Sequence, residues 1–473
     1  MNKAFENLIV LLATSFSLTA CQKAENVSFE KKMAIDTSNV NVEGCDDVGY
    51  FNVSFNLEDF ATVEDEPNIK KAQIAMLFAA NICLYSRVKI DDTKYFVDTY
   101  SGSTNLYNYF QFQDVEEYFT EATVDKNDIA KVQLGHHLVK HDKKNYDIIF
   151  CSIIDSSITE TWVSNLDVGY DDESYYSKTG QHSEWTDKEN HKGFDVTANR
   201  CVGLIEKYIS DKKSGKTPQI LYIFGHSRGG AVGNLVAKKL TDKDVNAVAY
   251  TMASPLTTTS QNYNNSKYNH IYNYVNDVDT ITVLPSTEWG FKRYGKDIHF
   301  DVRNCLESFK EYVGEDVPNY NNSNLVNRLL SSICQNRSDA YVFDERFTLA
   351  TSKALADETA VNDYILEQKR RFSGVYTPLQ EFLKFDVTTN ADNKYIVKVI
   401  SCGALISHML GLALAEYGLS NAISSVAMQY YSILTVYTKA AGISNPLSLK
   451  DEFNMKATCY AHFYQSYVAY FFL

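Results

Sequence analysis

The stretch from Gln219 to Leu240 constrains this chain more than any other. QILYIF (Gln219 to Phe224) is a short, almost wholly apolar run, and ten residues of helical pattern, AVGNLVAKKL, begin at Ala231. Only GHSRGG separates them. An apolar run of six residues reads as a strand buried on both faces, while Val232, Leu235, Val236 and Leu240 recur on one side of a helix. The neighbouring segments repeat the alternation. Val196 to Ile209 places Ala198, Cys201, Val202, Leu204, Ile205, Tyr208 and Ile209 on one helical face, and Val245 to Ala253 and Ile271 to Val275 are further apolar strands. Strands alternating with helices imply parallel pairing through crossovers, so the middle of the chain is expected to be an α/β sheet with helices on both faces.

The chain is 473 residues long, of which 45% are hydrophobic and 13% aromatic, enough for a sizeable core and too apolar for disorder as the main state. Its formal charge of −14 argues against a general nucleic-acid binder, because phosphate binding leans on clustered Lys and Arg. Internal repeats and low-complexity tracts are absent from the sequence, as are HExxH, P-loop and GxGxxG patterns. No metal or organic cofactor is expected. The acidic run Asp167 to Glu173 reads as a solvated loop.

Further elements follow from the same patterns. Ala72 to Tyr85 predicts a helix that is apolar around most of its barrel. Leu134 to Val139 and Tyr146 to Ile154 bracket His141 to Asn145 as a hairpin, whose second arm, YDIIFCSII, is apolar enough for a central strand. Residues 22–65 are polar and acidic and predict a tether or irregular cap. Residues 301–455 read as a mainly helical segment with acidic, Asn-rich connections; within it Val399 to Ala415 is interrupted by Ser401, Ser407 and His408, which predicts a buried or interfacial helix and not a membrane span. The dispersed cysteines, Cys45, Cys83, Cys151, Cys201, Cys305, Cys334, Cys402 and Cys459, form neither a CxxC pair nor a zinc pattern; Cys151 and Cys201 read as buried thiols.

Gly225-His226-Ser227-Arg228-Gly229 is G-x-S-x-G between a strand and a helix, the context that the nucleophile-elbow motif requires. A serine on so tight a turn leaves no room for side chains two residues to either side. The turn lifts the hydroxyl above the carboxyl edge of the sheet, and the following helix N-terminus offers N–H groups to an oxyanion. The segment LYIFGHSRGGAVGNLVAKKL resembles the elbow of the class 3 lipases, α/β-hydrolases typified by fungal triacylglycerol lipases. Glu160 to Gly169 (ETWVSNLDVG) is similar to the family's EWLSN segment, His191 to Phe194 to its H-x-G-F, and Tyr250 to Pro255 to its YTFGSP strand. The resemblance covers about residues 130–300 and a short piece at the C-terminus. It implies an α/β-hydrolase core, with a mainly parallel sheet flanked by helices and a helical insertion before the C-terminus.

A serine hydroxyl needs a base, and the base an orienting carboxylate. Asn276 to Pro285 (NDVDTITVLP) resembles the family's N-x-x-D-x-V-P-x-L-P and places Asp279 just past a strand, 52 residues after Ser227. Asp277 is its local rival. Three histidines follow. His299 lies in a probable strand and His408 on an apolar helical face, whereas His462 sits in AHFYQSY, which resembles the family's terminal histidine segment. The resemblance therefore implies Ser227, Asp279 and His462 as the catalytic set, with His226 and His191 in supporting places. It implies oxyanion donors at Arg228 N–H and in the loop after the first core strand. There the family's Arg-Gly-Thr is replaced by Ile154-Asp155-Ser156, making Ser156, or Ser157 with a shift of one residue, the second donor.

At the N-terminus, Lys3 precedes a short apolar run from Leu8 to Phe16, and Leu18-Thr19-Ala20-Cys21 resembles the bacterial lipobox. The resemblance implies cleavage before Cys21, acylation of its thiol, and attachment to a membrane at the cell surface or the periplasmic face. The expected organisation is a signal peptide at 1–20, a tether at 21–65, the α/β-hydrolase core with an N-terminal cap at 66–300, the insertion at 301–455 and a returning segment with His462 at 456–473. The implied function is membrane-anchored serine hydrolysis of lipid esters. The alternatives are a weak or inactive surface-interaction lipoprotein on the same scaffold, motivated by Ile154-Asp155, and a non-lipid esterase or thioesterase. The oligomeric state stays open.

Overall fold

The computed structural model describes residues 26–37, 47–83, 86–90, 94–96, 105–120, 130–156, 165, 185–212, 217–285, 287, 290–318, 353–372, 384–389, 395–400 and 460–473. The chain opens with strands β1 (Ser28–Asp36) and β2 (Val48–Asn56), helix α1 (Ile69–Ile82), β3 (Arg87–Ile90) and β4 (Lys94–Phe96). The four strands form an antiparallel sheet in the order β2-β1-β3-β4. This corrects the expectation of an irregular tether over residues 21–65. The signal was a period of two in β2, where Phe51, Val53 and Phe55 are buried and Asn52 and Ser54 exposed.

After α2 (Asn105–Tyr109), the central sheet runs β5 (Gln113–Thr120), β6 (Ala130–His141), β7 (Lys144–Ile153), helix α3 (Lys192–Lys212), β8 (Gln219–His226), helix α4 (Arg228–Thr241), β9 (Ala247–Met252), β10 (Ile271–Asn276) and β11 (Lys296–Phe300). Its strand order is β11-β10-β9-β8-β7-β6-β5. The strands from β7 to β11 pair in parallel, and β5 and β6 add antiparallel at one edge. The expected hairpin is present as β6–β7, closed by Asp142 and Lys143 at φ 47° and 64°. Two left-handed residues give the turn whose twist matches that of the flanking strands.

Alternation along the strands divides the core in two. Ile149, Cys151, Ile153, Leu221 and Ile223 face α3 and α4. Ile148, Phe150, Ile220, Tyr222 and Phe224 face the other way, onto α1, the N-terminal sheet and the C-terminal helix. That assignment explains α1, which is hydrophobic almost all round because it lies buried between the two sheets. Its N-terminus is capped by Asn68, whose side chain accepts from Lys70 and Lys71 N–H.

Beyond β11 come α5 (Leu306–Val313), β12 (Lys353–Leu355), α6 (Glu358–Phe372), β13 (Lys384–Thr389), β14 (Tyr395–Ile400) and α7 (Tyr464–Phe471). The strands pair antiparallel in the order β12-β14-β13. The expectation of a mainly helical segment over 301–455 is therefore corrected: its described residues hold a small sheet as well as helices. Val399 and Ile400, expected to open a helix, end β14; the β-branched run YIVKVI favours a strand. The rest of that expected helix lies outside the described residues, as do Cys21, the EWLSN-like segment apart from Asn165, the acidic run 167–173, Ser157 and His408. Cys151 and Cys201 are buried thiols as expected, and so are Cys83 and Cys305. Among the described residues no helix is long and apolar enough to cross a membrane.

Candidate active site

β8 ends at His226, and Ser227 follows with φ 53° and ψ −125°, immediately before α4. This is a sparsely populated backbone conformation for a residue with a side chain, and its neighbours enforce it. A Cβ on Gly225 would lie 2.1 Å from Gly229 O, and one on Gly229 would lie 2.4 Å from Ile153 O. Only glycine permits the end of β7, the elbow and α4 to approach this closely. Ser227 N–H also donates to Met252 O at 2.9 Å, tying the elbow to β9.

The hydroxyl so placed meets an imidazole from the far end of the chain. Ser227 Oγ lies 3.0 Å from His462 Nε2, and His462 Nδ1 lies 2.8 Å from Asp279 Oδ2. Asp279 is fully buried and His462 nearly so. A carboxylate only accepts, so the Asp279 contact places the imidazole proton on Nδ1 and leaves Nε2 to accept a hydrogen bond from the Ser227 hydroxyl. The other Asp279 oxygen accepts from Ile281 N–H at 2.9 Å. The acid's loop is fixed in turn by buried Arg293, which donates to Thr282 O and, at 2.8 Å, to Ser254 O; Thr282 Oγ1 donates to Asp279 O at 2.9 Å.

Two buried side chains clamp the turn that carries His462. His226 Nε2–H donates to His462 O at 2.8 Å, and Asn276 Nδ2–H donates to Ala461 O at 2.9 Å. Burial drives the His226 pKa down to about 3, and the nearby His462 charge adds to the fall. The ring is thus neutral at physiological pH, with its proton on Nε2.

The rival residues sit together elsewhere. His299 Nδ1 lies 2.7 Å from Asp277 Oδ1, with the two side chains 56% and 48% exposed, on edge strand β11 and its neighbouring loop. They form an exposed hydrogen-bonded pair of their own, apart from the Ser227 contacts.

Arg228 is the first residue of α4, and its side chain is buried. That side chain donates to Asn165 Oδ1 at 3.1 Å and to Thr197 Oγ1 at 2.7 Å. Asn165 Nδ2 donates to Ser156 Oγ at 2.7 Å, and Asn165 O meets His191 Nε2 at 3.1 Å. Asn165 therefore links the two expected oxyanion positions. Neither it nor Asn276 is singled out by the sequence reading, although each lies inside a recognised motif. Asp155 points away from this linkage: its Oδ2 accepts from Cys83 Sγ at 2.6 Å, at the C-terminal end of α1. Among the described residues no group of three or more His, Cys, Asp or Glu could hold a metal ion.

The sequence profile of the family described as Lipase (class 3) matches residues 157–289. Residues 157–289 belong to the class 3 lipases. This class 3 lipase segment contains Ser227 and Asp279, whereas His462 comes from outside it. Together with the sheet order it gives the protein an α/β-hydrolase fold. Among solved structures, the chain is similar to a Rhizomucor miehei triacylglyceride lipase at 20% identity, covering 39% of this chain and 66% of that one, with a TM-score of 0.27. It is also similar to a Yarrowia lipolytica lipase at 13% identity, covering 49% and 78%, with a TM-score of 0.29. The chain spans 66% of a fungal lipase bound to an inhibitor and 56% of a Rhizomucor miehei lipase in a propeptide complex. No curated protein sequence matches the chain.

Proposed function

We propose that the protein is a serine hydrolase of carboxylic esters, acting on lipids and held at a membrane through an acylated Cys21. The observation that carries the chemistry is the line from Asp279 Oδ2 through His462 to Ser227 Oγ, with both contacts at hydrogen-bond length. In this reading Ser227 Oγ attacks the acyl carbonyl while its proton passes to His462 Nε2. Asp279 holds the imidazolium. The carbonyl oxygen becomes an oxyanion at Arg228 N–H and Ser156, the C–O bond to the alcohol breaks, and His462 returns the proton to the departing alkoxide. Water, deprotonated by the same imidazole, then attacks the acyl-serine and releases the carboxylic acid. Lipid as substrate rests on the class 3 lipase segment, and the anchor on the lipobox-like Leu18 to Cys21.

The inactive-scaffold reading drew on Asp155 placing a charge among the oxyanion donors. Its bond to Cys83 turns the carboxyl towards α1, which favours turnover.

A fluorophosphonate probe on the full-length protein in detergent tests the chemistry. Labelling is expected at Ser227, absent in Ser227→Ala and strongly slowed in His462→Ala; no labelling of folded wild type would remove the hydrolase reading. Relative rates on long-chain triacylglycerol, short-chain esters and thioesters then assign the substrate class. Incorporation of labelled fatty acid, abolished by Cys21→Ser, tests the anchor.

A further inference from the structure

The proposed reaction takes the backbone N–H of Arg228 and leaves its side chain unexplained. That side chain is 1% exposed and is among the largest wholly buried ones in the protein. Burying a guanidinium is costly unless its N–H groups are met. Nη2 donates to Thr197 Oγ1 at 2.7 Å, early in α3, and Nη1 donates to Asn165 Oδ1 at 3.1 Å. The guanidinium carbon also stands 5.8 Å from the centre of the Phe194 ring, on the same helix. The cation is thus anchored on α3 and reaches across to Asn165.

Asn165 passes the contact on. A guanidinium only donates, so the amide must turn Oδ1 towards it and Nδ2 towards Ser156 Oγ, 2.7 Å away. The Ser156 hydroxyl therefore accepts from Asn165, which engages an oxygen lone pair and leaves its own proton to give. Ser156 follows β7 on the same edge of the sheet as the nucleophile: Ile153 of β7 pairs in parallel with Gly225 of β8, two residues before Ser227. The two segments also touch, because a Cβ on Gly229 would lie 2.9 Å from Ile154 O.

We propose that Arg228 is a positioning residue for the oxyanion hole: acting through Asn165, its side chain makes the Ser156 hydroxyl a donor to the oxyanion. The inference rests on the serine-hydrolase reading. The hydrogen bonds run in one direction, from guanidinium to amide oxygen, from amide N–H to hydroxyl oxygen and from hydroxyl proton to oxyanion, so each strengthens the next. Arg228 then serves the hole twice, directly by its backbone N–H and indirectly by its side chain. Without the guanidinium the amide is free to turn over, and an amide oxygen facing Ser156 would take the hydroxyl proton for itself.

The test is kcat and KM on a short-chain p-nitrophenyl ester for full-length wild type, Arg228→Met, Asn165→Ala and Ser156→Ala, and for the doubles that join each of the first two to Ser156→Ala. Arg228→Met keeps the apolar stem and removes every donor. Ser156→Ala retains the backbone N–H and should lower kcat on the order of 10²-fold, the cost typical of one oxyanion donor. Arg228→Met and Asn165→Ala should each lower kcat on the order of 10-fold with KM within about twofold, because the donor is misdirected and not removed. In the Ser156→Ala background the same changes should cost less than about twofold, since the hydroxyl through which they act is gone. A merely structural role would give the same loss in both backgrounds, and that result overturns the proposal, as does a Ser156→Ala enzyme with wild-type kcat. If Arg228→Met fails to fold, Arg228→Lys takes its place in the cycle, keeping a buried cation but not the planar fork that holds Thr197 and Asn165 together. A wild type that neither turns over ester nor takes the fluorophosphonate probe defeats the serine-hydrolase reading and the proposal with it, whereas an active wild type with equal losses in both backgrounds removes the proposal alone.

Discussion

Asn276 offers the sharpest test of how the site is held. Its fully buried side chain joins the end of β10 to two distant segments: Nδ2–H donates to Ala461 O at 2.9 Å, and Oδ1 accepts from Val302 N–H at 3.2 Å. Asn276→Ala removes both bonds and leaves a buried carbonyl and a buried N–H unpaired, because Ala461 and Val302 are themselves buried. At about 1–3 kcal/mol per orphaned group, the expected loss is about 2–6 kcal/mol, with the lower end reached if water enters the space. Activity should fall with it. The Ala461 carbonyl immediately precedes His462, so the turn is left with the His226 bond as its remaining clamp from the sheet side, and a displacement of about 1 Å at Nε2 costs on the order of 100-fold in kcat with little change in KM. Asn276→Asp separates the two effects. It retains an acceptor for Val302 N–H but sets a carboxylate against Ala461 O, so it should lose as much kcat as the alanine variant. Thermal unfolding and steady-state kinetics on one soluble ester measure both quantities. An Asn276→Ala protein that melts several degrees lower but keeps wild-type kcat would refute the positioning argument, and one unchanged in both would refute the clamp altogether.

Three further perturbations follow from the same geometry. Asp279→Asn can donate to His462 Nδ1 and so favours the tautomer whose Nε2 carries hydrogen; kcat should drop on the order of 10⁴-fold while the melting temperature moves little, and a loss under tenfold would contradict the tautomer argument. Gly225→Ala drives a methyl group to 2.1 Å from Gly229 O and should cost about 3 kcal/mol or more, read as lost fluorophosphonate labelling and a lower melting temperature. At the antiparallel edge of the sheet, burial opposes the charge on His136, but the Asp147 and Asp114 carboxylates, at 2.7 Å and 3.3 Å, outweigh it and raise its pKa above 6.5. The sign is that of a raised group: its stabilisation is complete below about 6.5 and is lost as pH climbs through the folded value. Melting temperature against pH should therefore decline over that window in wild type and stay flatter in His136→Gln; parallel curves would count against the ion pair.

What the sequence revealed was what depends on neighbours in the chain. The strands and helices from β7 to β10 followed from period two, period 3.6 and their alternation, and the elbow followed from two glycines whose necessity is local. Asp279 came from a motif of ten residues. His462 could be named only by resemblance, because nothing within its own turn distinguishes it from His299. The pairing of His299 with Asp277, which removes both rivals together, is a tertiary fact. The N-terminal sheet was missed although β2 alternates cleanly, because polar and acidic residues outside the strands masked the period. β13 and β14 were missed for another reason. A stretch such as YIVKVI is apolar enough for either a strand or a buried helix, and its pattern alone does not choose between them.

The long separation between acid and base has a physical consequence for assembly. Ser227 and Asp279 are fixed by a sheet whose parallel strands are close in sequence, but His462 arrives 183 residues after the acid. Its turn docks on the face covered by α1 and the N-terminal strands, with α7 held by Gln73 donating to Phe471 O at 2.7 Å and Ser308 Oγ donating to Ala469 O at 2.7 Å. His462 is therefore positioned by α1, α5, β8 and β10 together. Closing so long a loop carries an entropy cost that the buried contacts of α7 help to offset. Tyr464, Tyr467 and Phe471, all buried against that second core, supply the apolar area that does so. The aromatic wealth of the C-terminal segment is thus explained by docking His462.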